Sequence, residues 1–551
     1  MTNYVSTGNL SINEPSAADL LAWDRTHQIH PWAAMDAWRE YDHMMVEHGK
    51  GIYLWDSAGK RFLDGPGGMW CVQIGYGRKD MAEAIAKQVI SLPFASPWTT
   101  TTNPAARLAK KLAELAPGDL NNVLFTTGGS TAVDTALRTV HFLNNRLGRP
   151  EKKIVIAREK GYHGSTYLAS TVTGKERDKS RFDIESRLVR FLPDINPYRR
   201  PKGTSTTEWG DQKVAELEEM ILNIGPNKVG AFIAEPILCS GGVIIPPKGY
   251  HRKTLEICRK YDILYISDEV VTAFGRLGHW FSSEEVFDIV PDIITCAKGL
   301  TSGYLPLGAC IISDQVMSKI ESPDEEILFS NGFTYSAHPV CCAAALKNIE
   351  IMETEAVLEN VRTLSPYFQS RLQRLSAFDI VGDVRGQGLL GCIEGRPISS
   401  QNGSILSADR RLGTMLDDAC EKMGLLVRPL INMAVFSPPL IITKDQVDEM
   451  FDIIEKAKEP IKAYSILFNV QKKGIKAPLQ VYRALDKLVE IGKIHKIESR
   501  NSFVACKNSN CQISKATAFS ICESCEEVSE ISDNKLSKYL KSFQNKAGMK
   551  F

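Results

Sequence analysis

The sequence predicts an α/β protein with a large domain built on a mainly parallel sheet, a smaller α+β domain and a separate C-terminal module. Three observations lead there. Upstream of residue 313, short β-rich runs alternate with helical patterns, and each run is apolar on both faces, as strands covered by helices on two sides are. Beyond residue 338 the pattern changes to long helices followed by short strands. Residues 466–551 then carry fifteen Lys plus Arg against eight Asp plus Glu, or +7, leaving −6 on the rest of a 551-residue chain of net charge +1. Such charge asymmetry marks a separate module.

The elements follow in order. Residues 1 to about 20 are polar and read as loosely ordered, HPWAAMDAW as a helix, and GIYLWD as a short strand before a glycine. Asp64 to Gly77 is glycine-rich and loop-like. Helical patterns at Lys79 to Leu92 and Asn103 to Leu115 lead into the alternating region: NVLFTT, a helix through Asn144, KIVIARE, VGAFIAEPI, a helix at His251 to Tyr261, ILYISDE, DIITCAK and LGACIISD. Long helices occupy Val340 to Leu375. Short strands follow around FDIVGDVRG, LLGCIEG and MAVFSPPLIIT, and an amphipathic helix runs from Lys444 to about Lys458. Glu459-Pro460 ends it and marks a boundary. The domains expected are 1–70 as the N-terminal segment of the small domain, 71–338 as the large domain, 339–460 as the rest of the small domain, and 461–551 as the tail.

With 43% hydrophobic and 24% charged residues, the composition is that of a globular protein and excludes disorder or collagen-like order. No run of about 18 apolar residues suggests a membrane span, and the first residues have neither a basic nor an apolar leader segment. The thirteen cysteines are an odd number, and the nine before residue 421 have no disulfide-like spacing. A cytoplasmic protein with reduced thiols is expected. The near-zero net charge gives the whole molecule no electrostatic case for nucleic acid.

Gly386-Gln387-Gly388-Leu389-Leu390-Gly391 fits the dinucleotide fingerprint, but it runs into a strand instead of opening a helix, so it reads as a structural turn. The informative stretch is ILYISDEVVTAFGRLGHWF with PDIITCAKGLTSGYLPLGA. Asp268 ends one apolar strand and Lys298, thirty residues later, ends another. In a parallel sheet both lie at the carboxyl edge, where α/β folds bind ligands. A partly buried lysine loses its proton readily and can attack a carbonyl, so Lys298 is a candidate Schiff-base lysine, and Asp268 could hold a heteroaromatic nitrogen protonated. The alternative is a buried structural carboxylate and an edge lysine.

At these residues the chain, from about Pro31 to Pro460, resembles the class III aminotransferases, pyridoxal-phosphate (PLP) enzymes of transferase fold type I, and within them the ω-amino acid or amine:pyruvate group. The resemblance implies that Lys298 forms the Schiff base with PLP, that Asp268 pairs with the pyridine nitrogen, and that Val270 packs on the ring. TTGGSTAVDTAL resembles the family's phosphate loop at a helix N-terminus, which places Gly129 and Ser130 on the phosphate. The family often has Ser-Gly-Ser-Glu there, whereas Thr131 replaces the acid in this chain. In Tyr162-His163-Gly164 the resemblance puts Tyr162 in the stacking place, with His163 among the cofactor contacts. Glu235 matches an acid near the ring. Phe333 and Thr334 match a segment that reaches the phosphate of the neighbouring subunit, which implies an obligate homodimer or a tetramer built from it. Trp70 matches a pocket-wall tryptophan, and Arg428 an arginine that pairs with a substrate carboxylate and swings aside for an uncharged amine; otherwise Arg428 is a surface salt-bridge residue.

Residues 461–551 are foreign to that family. KAYSILFNVQKKGIKAPLQVYRALDKLVEIGKIHKIESRNSFVAC reads as helix, turn, second helix and strand pair, a winged-helix pattern. Cys506, Cys511, Cys522 and Cys525 follow, and their C-x4-C and C-x2-C spacings could supply four thiolates to zinc. The tail resembles a truncated ferric- or zinc-uptake-regulator protein with a zinc-ribbon-like end, and Lys472, Lys473, Lys476 and Arg483 could meet DNA phosphates unless they form a solvated basic face. The expected function is PLP-dependent transamination from an amine or ω-amino acid to a 2-oxo acid such as pyruvate. The rivals are another PLP reaction, an aminomutase or decarboxylating transaminase, and a PLP-sensing transcription regulator.

Overall fold

The computed structural model describes residues 15–35, 39–40, 43–321, 327–378, 380–396, 406–457, residue 487, and the strands 494–497, 502–505, 518–521 and 528–531. The chain divides into two units, residues 1–377, 381–395 and 413–457 in one, and 378–380, 396–412 and 458–551 in the other.

The first unit is organised by a seven-stranded sheet. Its strands are β1 (Asn122–Thr126), β2 (Ile154–Arg158), β3 (Val189–Leu192), β4 (Val229–Ala234), β5 (Leu264–Asp268), β6 (Ile293–Cys296) and β7 (Gly308–Ile312), in the spatial order β1-β7-β6-β5-β4-β2-β3. Strands β2 to β6 pair in parallel, while β7 runs antiparallel to both β1 and β6. The sheet is therefore mixed. The reason is local: only residues 297–307 join β6 to β7, with no long helix among them, and a parallel return needs a crossover of a dozen residues or more.

Helices cover both faces, which explains why the strands are apolar throughout. On one side Val133, Ala136 and Val140 of the helix Gly129–Arg146 pack with Val155, Ala231, Ile233, Ile266 and Ile293. On the other, Leu217 and Ile221 of Thr206–Ile224 and Cys258 of Tyr250–Lys260 pack with Ile156, Phe232 and Tyr265. Burying a side chain of this size contributes roughly 1.5–3 kcal/mol. The sheet is thus a rigid frame for whatever stands at its edge.

Smaller sheets flank it. Val46–Lys50, Tyr53–Asp56 and Arg61–Asp64 form an antiparallel meander, and Leu425–Leu426 pairs in parallel with Arg61–Asp64 across more than 360 residues of sequence. Val381–Gln387, Leu390–Gly395, Met433–Phe436 and Arg428–Leu430 form an antiparallel sheet. The GxGxxG stretch is the turn between its first two strands, with Gly388 at φ +61°, as the reading against a dinucleotide site requires. The helices Lys79–Ser91, Asn103–Leu115, Tyr250–Lys260 and Lys444–Lys456 fall within two residues of the expected ones.

One expectation fails at the N-terminus. The helix lies at Ala17–His27, not over HPWAAMDAW, because Ser16 and Asp19 form a capping box that starts it there. The chain then turns at Pro31-Trp32, with Trp32 at φ +58°, and residues 36–38 lie outside the described residues. In the second unit Ile494–Ile497 pairs antiparallel with Ser502–Ala505, the strand pair expected in the tail, and Ala518–Ile521 pairs with Val528–Ile531. Lys487 is helical, and the remainder of the expected helix-turn-helix lies outside the described residues, as do Cys506, Cys511, Cys522 and Cys525. Among the described residues no helix is long and apolar enough to cross a membrane.

Candidate active site

The register of the sheet builds the site. Asp268, the last residue of β5, pairs with Thr295 of β6, and Lys298 lies two residues beyond the end of β6, so both stand at one carboxyl edge. They line one cavity of about 620 Å³ with Trp70, Gly129, Ser130, Tyr162, His163, Glu235, Val270 and Arg428. Ten residues singled out in the sequence thus meet there. Phe333 and Thr334 do not line it; Thr334 is exposed, and the Phe333 N–H donates to Ser336 Oγ at 3.1 Å.

Lys298 opens a single 3₁₀ turn at φ +36°, a backbone conformation costly for a non-glycine residue and held here by its surroundings. Asn348 Nδ2 donates to the Gly299 carbonyl at 2.9 Å, and a Cβ on Gly299 would lie 2.4 Å from Gln73 Nε2. Burial pushes the Lys298 ammonium below its ordinary range, with Asp268 pulling the other way. Burial thus makes the lysine give up its proton more readily than a surface lysine does.

Asp268 is fixed from three directions. Its Oδ2 meets His163 Nδ1 at 2.6 Å, and its Oδ1 accepts from Thr295 Oγ1 at 3.0 Å and from the Val270 N–H at 3.2 Å. His163 thus supports Asp268. Next to it, Glu269 is wholly buried and accepts from the backbone and hydroxyls of Ser282 and Ser283 and from the Thr272 hydroxyl, a fully bonded carboxylate that locks the loop after β5. Glu235 accepts from the Tyr162 N–H at 2.8 Å and the Cys239 N–H at 3.2 Å, and burial pushes its carboxyl up.

At another wall the helix Gly129–Arg146 begins with no side-chain cap, leaving its first N–H groups and dipole facing the cavity. Thr131 bonds back to the Gly128 carbonyl at 2.9 Å, so the acid replaced by Thr131 is not needed to shape this turn. Ser130 Oγ accepts from the Ser165 N–H at 3.1 Å, which leaves its own proton to donate. A Cβ on Gly129 would touch Val270 at 3.0 Å, so the start of this helix packs closely against the loop after β5.

The sequence reading missed the outer wall. Lys175, Arg177, Asp178 and Trp32 line the same cavity, and the Trp32 ring lies 5.9 Å from that of Tyr162. The only signal available was the charge-dense KERDKSR run after Gly174. Arg428 is half-buried, its Nε has no hydrogen-bond partner among the described residues, and burial followed by the nearby Arg177 charge holds its pKa below the ordinary arginine range.

Fold and site together define an α/β enzyme built around a sheet-edge lysine, a carboxylate and an uncapped helix N-terminus. The family model for class III aminotransferases matches residues 34–457, and the chain belongs to that family and is an aminotransferase. It is 36% identical over 457 residues to the putrescine–pyruvate aminotransferase of Pseudomonas aeruginosa, covering 83% of this chain and 99% of that one. It is 39% identical over 415 residues to a mitochondrial γ-aminobutyrate transaminase of Oryza sativa subsp. indica, covering 74% and 80%. Among solved structures, the ω-transaminase of Pseudomonas jessenii in complex with PMP superposes with a TM-score of 0.77 at 34% identity, covering 81% of this chain and 98% of that one. The family match stops at residue 457, short of the tail.

Proposed function

We propose that this aminotransferase uses PLP to move an amino group from a primary amine or ω-amino acid to a 2-oxo acid such as pyruvate. The observation that carries the reading is the convergence on one cavity of a deprotonation-prone lysine, a carboxylate bonded on both oxygens, and an uncapped helix N-terminus.

The residues fit the cofactor. Gly129 and Ser130 offer N–H and hydroxyl donors to a phosphate, Asp268 a carboxylate to a protonated ring nitrogen, and Tyr162 and Val270 two walls for a flat ring. When bound, PLP supplies the electron sink and the carbonyl that carries the amino group. Lys298, whose ammonium burial pushes below its ordinary range, moves a proton at the substrate carbon as general base, work usually worth about 10² to 10⁴ in rate. Asp268 keeps the ring nitrogen protonated, His163 and Thr295 hold that carboxylate in place, and Trp70 walls the substrate space. Arg428 binds a substrate carboxylate when one is present.

The relatives' names support the substrate classes: one acts on putrescine and pyruvate, another on γ-aminobutyrate. A homodimer is supported by exposed Ile90 (86%), Trp98 (80%) and Leu328 (79%), and by Phe94, whose ring meets that of Tyr335 two residues from Phe333. In that dimer Phe333 and Thr334 would complete the partner's phosphate site. The division into a large domain (71–338) and a small domain (1–70 with 339–460) is supported by the parallel pairing of Leu425 with Leu63. For the tail, the pair Ile494–Ile497 and Ser502–Ala505 suits the wing of a partial winged helix, and Cys522 and Cys525 fall in sequence between two paired strands, as a zinc-binding CxxC does. DNA contact by its lysines rests on charge alone. The test of function is alanine formation from pyruvate across a panel of amines and ω-amino acids. PLP-dependent alanine formation is expected, and none with any donor would overturn the reading.

A further inference from the structure

The outer wall of the cavity carries more positive charge than one substrate-binding arginine explains. Arg428 lies on the strand Arg428–Leu430 and Arg177 on the short helix Glu176–Lys179, far apart in sequence, yet both line the same cavity. Lys175 stands on that wall as well. Asp178, 6% exposed at its side chain, is already shared between Lys175 Nζ at 3.0 Å and Arg177 Nε at 3.1 Å, and Glu235, which lines the same cavity, also acts on Lys175. Asp417, which also acts on Arg428, has its carboxyl pushed up to about 7 by burial and by the nearby Glu421 and Asp418.

The hydrogen-bond accounting points the same way. Arg428 makes no ion pair among the described residues, and its Nε is buried without a partner. Arg177 spends its Nε on Asp178, which leaves the outer edge of its guanidinium for a ligand. Two guanidinium groups lining one cavity repel each other, a repulsion that Asp178 moderates and that a ligand anion between them would relieve further. We propose that Arg177 and Arg428 form a two-arginine clamp on a single substrate carboxylate, with Asp178 as the group that aims Arg177. The clamp rests on the aminotransferase reading of this cavity and deepens it, making carboxylate-bearing substrates, the 2-oxo acid and the ω-amino acid, those the site is built to hold. Arg177 is then a specificity-determining residue that no strand-end or loop motif marks.

The test uses the PLP-loaded full-length enzyme, butyrate as a carboxylate probe with no amino or oxo group to react, and hexylamine as a donor with no carboxylate. Arg177→Ala should weaken butyrate binding, read from the shift of the cofactor absorption band, by about tenfold, and Arg428→Ala by at least as much. With Arg177 59% exposed, the alanine variant should fold. The double variant should bind butyrate clearly better than the product of the two single losses implies, because one anion couples both arginines. Read as a single-turnover donor half-reaction with no 2-oxo acid present, the loss of rate with hexylamine should be at least fivefold smaller than the loss of butyrate affinity. Butyrate affinity within twofold of the parent in Arg177→Ala, fully multiplicative losses, or an equal loss with hexylamine would each overturn the clamp. A parent enzyme that binds butyrate but forms no alanine would instead count against the reaction assigned to the site.

Discussion

Replacing His163 by leucine isolates the contribution of the support behind Asp268. The imidazole and the carboxylate are almost fully buried, 1% and 3% exposed at the side chains, so water cannot take the place of the 2.6 Å bond between them. A hydrogen bond to a charged group is worth about 1.5–3 kcal/mol, and its loss should slow turnover by roughly ten- to a hundredfold. Thr295→Val is the internal comparison: its 3.0 Å bond is longer, and the Val270 N–H still serves the same oxygen, so a loss of about two- to tenfold is expected. The assay is alanine formation from pyruvate at saturating PLP, with thermal melts to show that both variants remain folded. His163→Leu should cost clearly more than Thr295→Val. An effect under about threefold, or the reverse ranking, would refute the claim that His163 acts through Asp268.

Arg428→Ala should harm pyruvate or an ω-amino acid by about ten- to a hundredfold in apparent affinity and a simple amine far less, and equal losses in both half-reactions would make Arg428 structural. Asp417 has its carboxyl raised from 3.8 to about 7, first by burial and then by Glu421 and Asp418. The folded chain therefore keeps a proton that the unfolded chain has released, and stability falls as pH rises through that window. With solvent reaching part of the side chain, Asp417→Asn should add about 1–2 kcal/mol at pH 8 and almost nothing at pH 4, read as a Tm gain confined to the higher pH. Ending the chain at Pro460 should leave alanine formation intact and remove any stoichiometric zinc. Loss of activity in a dimeric, PLP-loaded truncation would contradict separability, and zinc-free full-length protein would contradict the metal site.

Much of this architecture was legible because strand burial writes itself into composition: β4 is the apolar run VGAFIA, β5 opens on Leu-Tyr-Ile before its polar end, and Pro104 and Pro339 stand in the first turns of two helices. The antiparallel β7 was not legible, since LGACIISD looks the same in either direction and only the short link from Cys296 to Gly308 decides it. The helix Ala17–His27 hid in a polar stretch that buries none of its side chains, so no apolar stripe announced it. Asp268 and Lys298 could be found because strand ends are readable. The role of His163 could not, because its bond to Asp268 spans 105 residues. Arg177 escaped for the same reason, since Arg428, which lines the same cavity, lies on a strand 251 residues later.

The central claim is that Lys298 is the residue that holds the cofactor carbonyl. Borohydride reduction of the PLP-loaded enzyme, followed by peptide mass mapping, tests it most directly, since reduction fixes the cofactor to whichever lysine bears it. The account predicts a single modified peptide with the label on Lys298 within TCAKG, and no label in Lys298→Ala. Label on another lysine, or a colourless protein that takes none, would contradict it.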